Sequence, residues 1–377
     1  MKLAFNAVAL LSPLTGVGRY AHEIALQLAA MPEVEPQFFY GTHWQDSVDA
    51  HVPSQVQKAM PLIRANLPWS YEIRRWVQTT AFKRGTKHKN FQLYHEPNHL
   101  LLPFDGPSVL SVHDLSWIRY PQMHPIERVR AMNKYFESGL RRATRILTDS
   151  EFIKRELIEL FGIRSEIIHP VGLGVEPMFS PLNALQTRKT LTELGLQHGQ
   201  YLLAVSTLEP RKNLEVALRA FTALPAAVRK RAPLVLAGMK GWNTAGLEQT
   251  LAPLLHAGEV RQLGYLPRKD LVNVIAGATA LVYPSVYEGF GLPPLEAMAC
   301  GVPVIASDVS SIPEVVASTG ILVHPQDETQ LMQAMLTVTQ APEIRNALAS
   351  QALARSRTFS WSRCARETVD VYRAAIA

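Results

Sequence analysis

The feature that most constrains the fold is a regular alternation of short apolar runs with segments of helical spacing. In the second half of the chain these runs are YLLAVST (201–207), PLVLAG (233–238), VRQLGYL (260–266), ALVYPS (280–285) and PVIAS (303–307). Strands that alternate with helices predict a parallel sheet covered on both faces. Ligands bind such sheets at the loops beyond the carboxyl ends of the strands, so those loops are where a site is expected.

The first half of the chain follows the same pattern less regularly, with strand candidates LAFNAV, PQFFYG, LYHEP, SVLSVHDL and ATRILTDS. A chain of 377 residues is too long for one ordinary core. The segment 167–183, rich in proline and glycine, is interpreted as a linker. We therefore predict two Rossmann-like α/β domains, 1–175 and 176–359, with a C-terminal helix over 360–377 that packs back onto the first.

The bulk composition narrows the class of protein. No apolar run approaches the ~20 residues needed to span a bilayer, and LAFNAV is interpreted as a buried strand rather than as part of a secretory signal because a helix follows it. Cys300 and Cys364 lack metal-ligand spacing, which indicates a reducing compartment. The net charge of +6 indicates an anionic partner: nucleic acid, acidic phospholipid or a phosphorylated small molecule.

The stretch YEGFGLPPLEAMACGVPVIAS (287–307) combines an expected anion site with two carboxylates. Pro293 and Pro294 stand where a helix would begin, and the glycine loop before them lets backbone N–H groups approach a ligand. Glu288 and Glu296 could accept hydrogen bonds from hydroxyls on either side of the anion, as in a diphosphate with a sugar at each end. The alternative is that Glu296 merely complements the helix dipole.

The loop LEPRKN leaves one strand and precedes a helix for which Asn213 is the predicted N-cap. It supplies positive charge through Arg211 and Lys212. Both side chains could form charge-assisted hydrogen bonds with phosphate. The alternative is an ordinary solvated surface pair, which the position after a strand makes less favoured.

Two weaker signals lie in the first half. TGVGRY opens the first helix without the full dinucleotide fingerprint, which argues against a dehydrogenase, but Gly16 and Gly18 could still let the backbone approach a phosphate. His113, in SVHDLS, ends an apolar run on the predicted ligand edge, where a purely structural histidine is the alternative.

Together these segments resemble the retaining glycosyltransferases of family 4, which have the GT-B fold of two Rossmann-like domains facing a cleft. The resemblance is carried by Glu288 and Glu296 in an E-x7-E arrangement within GFGLPPLEAMACGVPVIAS, and by TLEPRKNL, GVGRYA and VHDLS. It implies transfer of a sugar from a nucleotide diphosphate donor with retention of configuration. It also implies that no metal is required, and the sequence has no D-x-D pair to hold one.

The resemblance assigns a role to each matching position. Glu288 would contact the donor sugar hydroxyls and Glu296 the nucleoside ribose, while Arg211 and Lys212 would bind the diphosphate and stabilise the leaving group. Backbone groups of the glycine loop and first helical turn would hold the distal phosphate or sugar. The remaining implied positions are Phe290, Gly291 and Leu292 for that backbone contact, Gly16 and Gly18 from the first domain, His113 beside the donor sugar, and Tyr265 and Leu266 at the base.

The form EPRKN with YEGFGLPPLEAMACG is similar to bacterial mannosyl- or rhamnosyltransferases of O-antigen and exopolysaccharide synthesis. This implies GDP-mannose or GDP-rhamnose as donor and a polyprenyl-diphosphate-linked glycan as acceptor. Segments 66–90 and 127–145 interleave cations with aromatics, which in the first are Trp69, Tyr71, Trp76 and Phe82. This pattern suits an anionic membrane surface, although a solvated basic face over a core is the alternative. We expect a cytoplasmic protein attached peripherally to the inner membrane, with no nucleic-acid partner.

Other functions stay open at this point. The donor could be a UDP-sugar, or the chain could be an isomerase of the nucleotide-sugar 2-epimerase kind, which shares the architecture. A non-enzymatic binding module for nucleic acid or membrane fits the charge but leaves the Arg211, Lys212, Glu288 and Glu296 pattern unexplained.

Overall fold

The computed structural model describes residues 1–12, 14, 16–48 and 70–377. They form two compact units, each with its own sheet. The first unit contains Met1–Leu115, Ile126–Gly174 and Trp361–Ala377, and the second contains Ser116–Pro125 and Val175–Ser360.

The first unit is built on a seven-stranded sheet in the order β3-β2-β1-β4-β5-β6-β7. All neighbouring strands are parallel except the short edge strand β3. The strands are β1 (Lys2–Asn6), β2 (Glu35–Phe39), β3 (Trp44–Gln45), β4 (Leu93–Glu96), β5 (Ser108–Val112), β6 (Arg145–Thr148) and β7 (Ile168–Pro170).

The second unit is built on a six-stranded, fully parallel sheet in the order β10-β9-β8-β11-β12-β13. The strands are β8 (Leu202–Val205), β9 (Leu234–Ala237), β10 (Val260–Gly264), β11 (Ala280–Tyr283), β12 (Val304–Ser307) and β13 (Ile321–Val323).

Helices connect the strands in both units. In the described residues they are α1 (Gly16–Ala29), α2 (Ser70–Thr86), α3 (Ser116–Arg119), α4 (Ile126–Arg142), α5 (Glu151–Phe161), α6 (Ala184–Glu193), α7 (Leu214–Thr222), α8 (Ala226–Arg231), α9 (Ala245–His256), α10 (Arg268–Ala276), α11 (Leu292–Ala299), α12 (Ile312–Val316), α13 (Glu328–Gln340), α14 (Pro342–Ser356) and α15 (Trp361–Ile376).

Local sequence explains why these elements form where they do. Every residue of β5, β8, β9, β11 and β12 is buried, as expected of strands covered by helices on both faces. Helix starts are fixed by side-chain caps: Ser150 caps α5, Asp327 caps α13, and Asn183 with Gln186 forms a capping box on α6.

The C-terminal helix α15 belongs to the first unit, where it packs on α1. Its buried residues recur at helical spacing, among them Trp361, Cys364, Thr368 and Tyr372. The Tyr372 hydroxyl lies 2.6 Å from Nδ1 of His95 on β4, so the end of the chain closes the core of the first unit.

The structure differs from the predicted organisation in three places. Residues 116–125, predicted in the first domain, belong to the second unit, where the Trp242 indole donates to the Met123 carbonyl at 2.6 Å. The predicted linker 167–183 begins with β7, an edge strand too short to show a period. Strands β3 and β13, of two and three residues, were not predicted for the same reason.

One predicted cap is also different. Asn213 precedes α7 but adopts a left-handed conformation (φ 56°) and makes no side-chain cap. Its amide instead donates to the carbonyls of Pro284 and Pro325 at 3.0 and 2.6 Å, so it ties three loops together.

Within the residues that the structure describes, no helix is long and apolar enough to cross a bilayer.

Candidate active site

The sheet order of the second unit locates the candidate site. From β8 the chain proceeds to β9 and β10 on one side, whereas β11 lies on its other side and leads to β12 and β13. The direction of winding therefore reverses between β8 and β11, where parallel sheets form a crevice at the carboxyl ends of their strands. Arg211 and Lys212 follow β8, and Glu288 follows β11, so the predicted residues flank this crevice.

Glu288 forms ion pairs with both Arg211 and Lys212. Its Oε2 lies 3.0 Å from Nη1 of Arg211, and its Oε1 lies 2.6 Å from Nζ of Lys212. The Tyr283 hydroxyl donates to the same Oε1 at 2.8 Å. All three charged side chains are nearly buried, which makes the cluster a fixed polar centre rather than a solvated surface pair.

The electrostatics of this cluster keep Glu288 ionised. Burial alone would raise the pKa of its carboxyl, but the charges of Lys212 and Arg211 outweigh burial and lower the pKa to about 2. A carboxyl with so low a pKa is a weak proton acceptor at neutral pH, whereas it accepts hydrogen bonds readily.

Several residues that complete the cluster were not singled out from the sequence. Glu209 accepts from Nη2 of Arg211 at 2.7 Å, so it positions the guanidinium. The Ser310 hydroxyl accepts from the Glu288 amide at 3.0 Å, and the Ser311 hydroxyl lies 2.9 Å from the carbonyls of Glu288 and Phe290. Glu209 stands inside the LEPRKN motif and could have been recognised there, but no local pattern links the two serines to Glu288.

Helix α11 begins at Leu292, directly after the glycine loop. Its second and third residues, Pro293 and Pro294, have no N–H, so the first turn offers an anion fewer donors than an ordinary helix start. The N–H groups of Phe290, Gly291 and Leu292 donate to no other residue in the described part of the chain, so these three are the donors that remain.

Glu296 does not join the cluster around Glu288. It is the fifth residue of α11 and therefore lies beyond the first turn. A carboxylate that only complemented the helix dipole would be expected within that first turn. It is buried, and its Oε1 accepts from Nη1 of Arg268 at 2.8 Å. Tyr265 and Leu266 follow β10 in the same unit, and the Tyr265 side chain is 54% exposed.

In the first unit, both ring nitrogens of His113 lie within hydrogen-bonding distance of a partner. Its Nδ1 lies 2.9 Å from Oδ2 of Asp149, and its Nε2 lies 2.8 Å from the Pro97 carbonyl. Burial alone would lower the pKa of His113, but Asp149 and Pro97 together raise it. The Pro97 carbonyl can only accept, and an ionised Asp149 also accepts, so this pair of contacts favours the doubly protonated, positively charged form of the His113 ring.

The glycines of the first unit differ in their surroundings. Gly16 is the first residue of α1, and a Cβ built on it would meet no atom of the described residues within 4 Å, so these residues leave its backbone accessible from that side. Gly18 is buried within the same helix.

Another buried carboxyl, Glu96, ends β4 in the first unit. Its Oε2 accepts from Nδ2 of Asn6 at 2.6 Å and from the Tyr94 hydroxyl at 2.5 Å. Burial raises the pKa of Glu96 to about 7 in spite of these hydrogen bonds. No motif in the sequence marks Glu96 as a candidate site residue.

The predicted membrane segments are only partly exposed. Phe82, counted there among the interfacial aromatics, is fully buried, whereas Trp76 is 69% and Ile73 61% exposed on α2. Trp69 and the side chain of Tyr71 lie outside the described residues. In α4, Arg130, Lys134 and Arg141 form ion pairs with glutamates, so much of the predicted basic charge there is internally compensated.

Across the described ranges, no group of three or more histidine, cysteine, aspartate or glutamate side chains is arranged to hold a metal ion.

Two family models match the chain, one in each half. The model described as Glycosyltransferase Family 4 matches residues 14–178, and the model described as Glycosyl transferases group 1 matches residues 192–355. The O-antigen chain mannosyltransferase B of Escherichia coli is 34% identical over 380 residues, which cover 99% of this chain and 100% of that protein.

Solved structures share the fold. Sucrose-phosphate synthase from Thermosynechococcus elongatus superposes with a TM-score of 0.76 at 19% identity, covering 99% of this chain and 98% of that one. HepE of Anabaena, in complex with UDP-glucose, gives 0.73 at 18% identity, covering 99% and 100%. The predicted fold class, two Rossmann-like parallel-sheet domains of the GT-B kind, is confirmed.

Proposed function

Since this chain belongs to the glycosyltransferases of group 1 and family 4, we propose that it transfers mannose from GDP-mannose to a lipid-linked glycan with retention of configuration. The observation that carries the proposal is the buried cluster of Arg211, Lys212 and Glu288 beside the start of α11. A departing nucleoside diphosphate develops negative charge. Fixed cations and N–H groups aimed at such charge usually make the largest catalytic contribution.

Mannose is favoured over other sugars by one relative. The full-length match to an O-antigen chain mannosyltransferase supports a mannose donor and an acceptor in bacterial surface polysaccharide synthesis. GDP-rhamnose and a UDP-sugar are the competing donors, and the HepE complex with UDP-glucose makes the second worth testing.

In the proposed reaction the acceptor hydroxyl attacks from the face that GDP leaves, and a diphosphate oxygen takes the acceptor proton. Glu288 accepts hydrogen bonds from the sugar hydroxyls and does not serve as the general base, because its pKa of about 2 makes it a weak proton acceptor. The same property disfavours the 2-epimerase alternative, which needs a group near the sugar that abstracts a proton.

The remaining roles follow the resemblance. Arg211 and Lys212 bind the diphosphate, Glu296 binds the ribose, and the exposed Tyr265 with Leu266 binds the base. The other proposed contacts are the N–H groups of Phe290, Gly291 and Leu292 to the distal phosphate, the backbone at Gly16 and Gly18, and the charge of His113 beside the donor sugar.

We also propose that the reaction needs no metal, because the two cations and the N–H groups neutralise the diphosphate. Turnover should therefore be unchanged after dialysis against EDTA. A loss of activity that Mg²⁺ or Mn²⁺ restores would contradict this part of the proposal.

The decisive test is calorimetric binding of GDP, UDP and ADP to the wild type, Arg211→Ala and Arg219→Ala. Arg219 is a matched control, because it pairs with Glu328 at 2.6 Å on the exposed side of α7. We expect the wild type to prefer GDP. Arg211→Ala should weaken that binding about 10- to 100-fold, the value of one charge-assisted hydrogen bond, and Arg219→Ala should not.

Each other outcome changes a different part of the proposal. A preference for UDP would keep the enzyme class and discard the donor. Binding of none of the three by the folded protein would overturn the active-site assignment. Product analysis with GDP-mannose and a polyprenyl-diphosphate-linked acceptor then separates a new glycan from an epimerised donor.

For the acceptor side we propose peripheral attachment to the anionic cytoplasmic leaflet of the inner membrane through α2. Ile73, Trp76 and Val77 are 61%, 69% and 37% exposed, and their spacing of three and four residues places them on one face. Exposed Lys83 and Arg84 follow on the same helix. An apolar face next to cations suits insertion at the boundary between headgroups and acyl chains.

Flotation with vesicles containing anionic phospholipid tests this surface. Trp76→Ser should lose most of the vesicle-bound fraction, whereas Leu185→Ser, which removes a leucine 76% exposed on α6 of the second unit, should behave as the wild type. Absence of wild-type binding at moderate salt, or equal loss in both variants, would remove the proposed surface.

A further inference from the structure

Arg268 is a cation close to the proposed nucleoside subsite that the functions described so far leave unassigned. It is the first residue of α10, and its Nη1 donates to Oε1 of Glu296 at 2.8 Å. Glu296 is only 5% exposed, so the hydrogen bond from Arg268, and not solvent, restrains its carboxylate. A carboxylate has about four lone-pair sites, and one held by arginine can still accept from hydroxyls.

The guanidinium of Arg268 is itself fixed by two other residues. Its Nη2 forms an ion pair with Glu176, and its Cζ lies 4.3 Å from the centroid of the Phe179 ring. Both residues belong to the segment that opens the second unit, far from Glu296 along the chain. A planar guanidinium held on two carboxylates and stacked on a ring has one orientation, which lysine cannot reproduce.

These contacts give Arg268 a directional effect on Glu296. The Nη1 group fixes one oxygen of Glu296, and the contacts to Glu176 and Phe179 prevent Arg268 from following a ligand or swinging into solvent. The orientation of the Glu296 carboxylate is thus set before any ligand arrives, and pre-organised groups bind ligands at lower entropic cost.

We propose that Arg268 is a positioning residue for the nucleoside subsite: held by Glu176 and Phe179, it orients Glu296 to accept hydrogen bonds from the ribose hydroxyls. This inference rests on the proposed nucleotide-sugar function and deepens it. Arg268 acts through Glu296 and is not itself assigned a contact with the sugar.

The test measures by calorimetry the affinities for GDP and for 2′,3′-dideoxy-GDP, which lacks the ribose hydroxyls. The ratio of the two affinities is compared between the wild type and variants of Arg268. The wild type should bind GDP about tenfold or more tightly than the dideoxy analogue, as expected for lost hydrogen bonds to a charged group. In Arg268→Met the affinity ratio should fall to about two or less. The ratio in Arg268→Lys should lie between those of the wild type and Arg268→Met, because lysine restores the charge without the planar, two-pronged guanidinium.

Two further variants serve as controls. Lys269→Met changes the exposed neighbour of Arg268 and should keep the wild-type ratio. Glu296→Gln should lower the ratio as Arg268→Met does. If Arg268→Met does not fold, Glu176→Gln, which removes one of the two ion-pair partners, should lower the ratio in the same direction.

The outcomes separate this inference from the proposed function. If the folded wild type binds no nucleotide, the proposed function fails. If the wild type binds GDP with the expected ratio and Arg268→Met keeps that ratio, only the positioning role of Arg268 is overturned. Equal binding of GDP and the dideoxy analogue by the wild type would also overturn it, because Glu296 would then not contact the ribose.

Discussion

Glu288 determines the charge balance of the candidate site. With Glu209 it supplies two carboxylates to the two cations Arg211 and Lys212, so the charges within the cluster balance. A diphosphate brings additional negative charge to cations already paired with Glu288. Ligand binding and the stability of this cluster should therefore be linked through one residue.

Glu288→Gln should reduce kcat with GDP-mannose about 10- to 100-fold, the value of a hydrogen bond to a charged group. It should also lower the melting temperature, because two nearly buried cations lose their main counter-ion, and GDP should raise that temperature more in the variant than in the wild type. Initial rates and thermal unfolding measure both effects. Tyr283→Phe, which keeps the carboxylate, should lose less; equal losses would contradict the charge argument.

Glu96 should make stability depend on pH. Its pKa of about 7 in the folded protein lies above its ordinary value of 4.5, so the folded state keeps a proton that the unfolded state releases. The free energy of unfolding should then fall as pH rises from about 4.5 to 7, by an amount on the order of 2–3 kcal/mol.

Urea unfolding of the wild type and Glu96→Gln at pH 5 and pH 8 measures this effect. The variant cannot ionise and should show a smaller decrease between the two values. Parallel decreases in both proteins would assign the pH dependence to other groups, such as His113, whose raised pKa also favours the folded state at low pH.

Among the single elements, α11 begins with few N–H donors for the proposed anion contact. Two prolines remove N–H groups from its first turn, and Gly291 before it adopts φ +122°, a conformation that L side chains rarely adopt. The N–H groups of Phe290, Gly291 and Leu292 donate to no other described residue, so the loop itself supplies the donors for the proposed anion contact. The shape of this loop therefore matters more than the dipole of the eight-residue helix.

Gly291→Ala should weaken GDP binding and destabilise the second unit by about 1–3 kcal/mol. The φ of +122° at this position is strained for alanine, and the new Cβ would lie 2.9 Å from Cδ1 of Ile312. Gly301→Ala is the matched control at the other end of α11. There φ is +69° and the nearest atom is 3.6 Å away, so stability should fall while GDP affinity stays unchanged. Calorimetry and urea unfolding compare the two, and equal affinity in both would contradict the role of the loop.

At the scale of the whole molecule, the chain order does not follow the division into units. Residues 116–125 leave the first unit for the second, and α15 returns to the first after the second is complete. In the first unit the Trp361 ring lies 6.4 Å from that of Tyr20, and the Tyr372 hydroxyl bonds His95. The last helix is therefore part of a core formed by the first residues.

Truncation after Ser360 should destabilise the first unit selectively. Hydrogen exchange should show loss of protection in α1 and β4, which α15 contacts, while β8 and β11 remain protected. Tyr372→Phe, which removes only the hydroxyl bonded to His95, should cost about 1 kcal/mol without changing which regions are protected. Equal deprotection of both sheets in the truncated chain would contradict this assignment.

Local sequence patterns were sufficient to predict the alternation of strands and helices and the α/β class. They also predicted the loops that hold Arg211, Lys212, Glu288 and the start of α11. These features depend on apolar periodicity and on proline and glycine, which act within a few residues. Family membership was also recognisable, because its motifs are short and contiguous.

Which side chains contact one another could be read only from the folded chain. Arg268 joins Glu296 across 28 residues and Glu176 across 92, and His113 meets Asp149 across 36. No local pattern encodes such pairs, since each depends on how strands far apart in sequence are ordered in a sheet. The Asn213 amide likewise donates to carbonyls in two distant loops and does not cap its own helix. Helix α15 packs on α1 and β4, which lie far earlier in the chain, and the hydrogen bond between Tyr372 and His95 spans 277 positions.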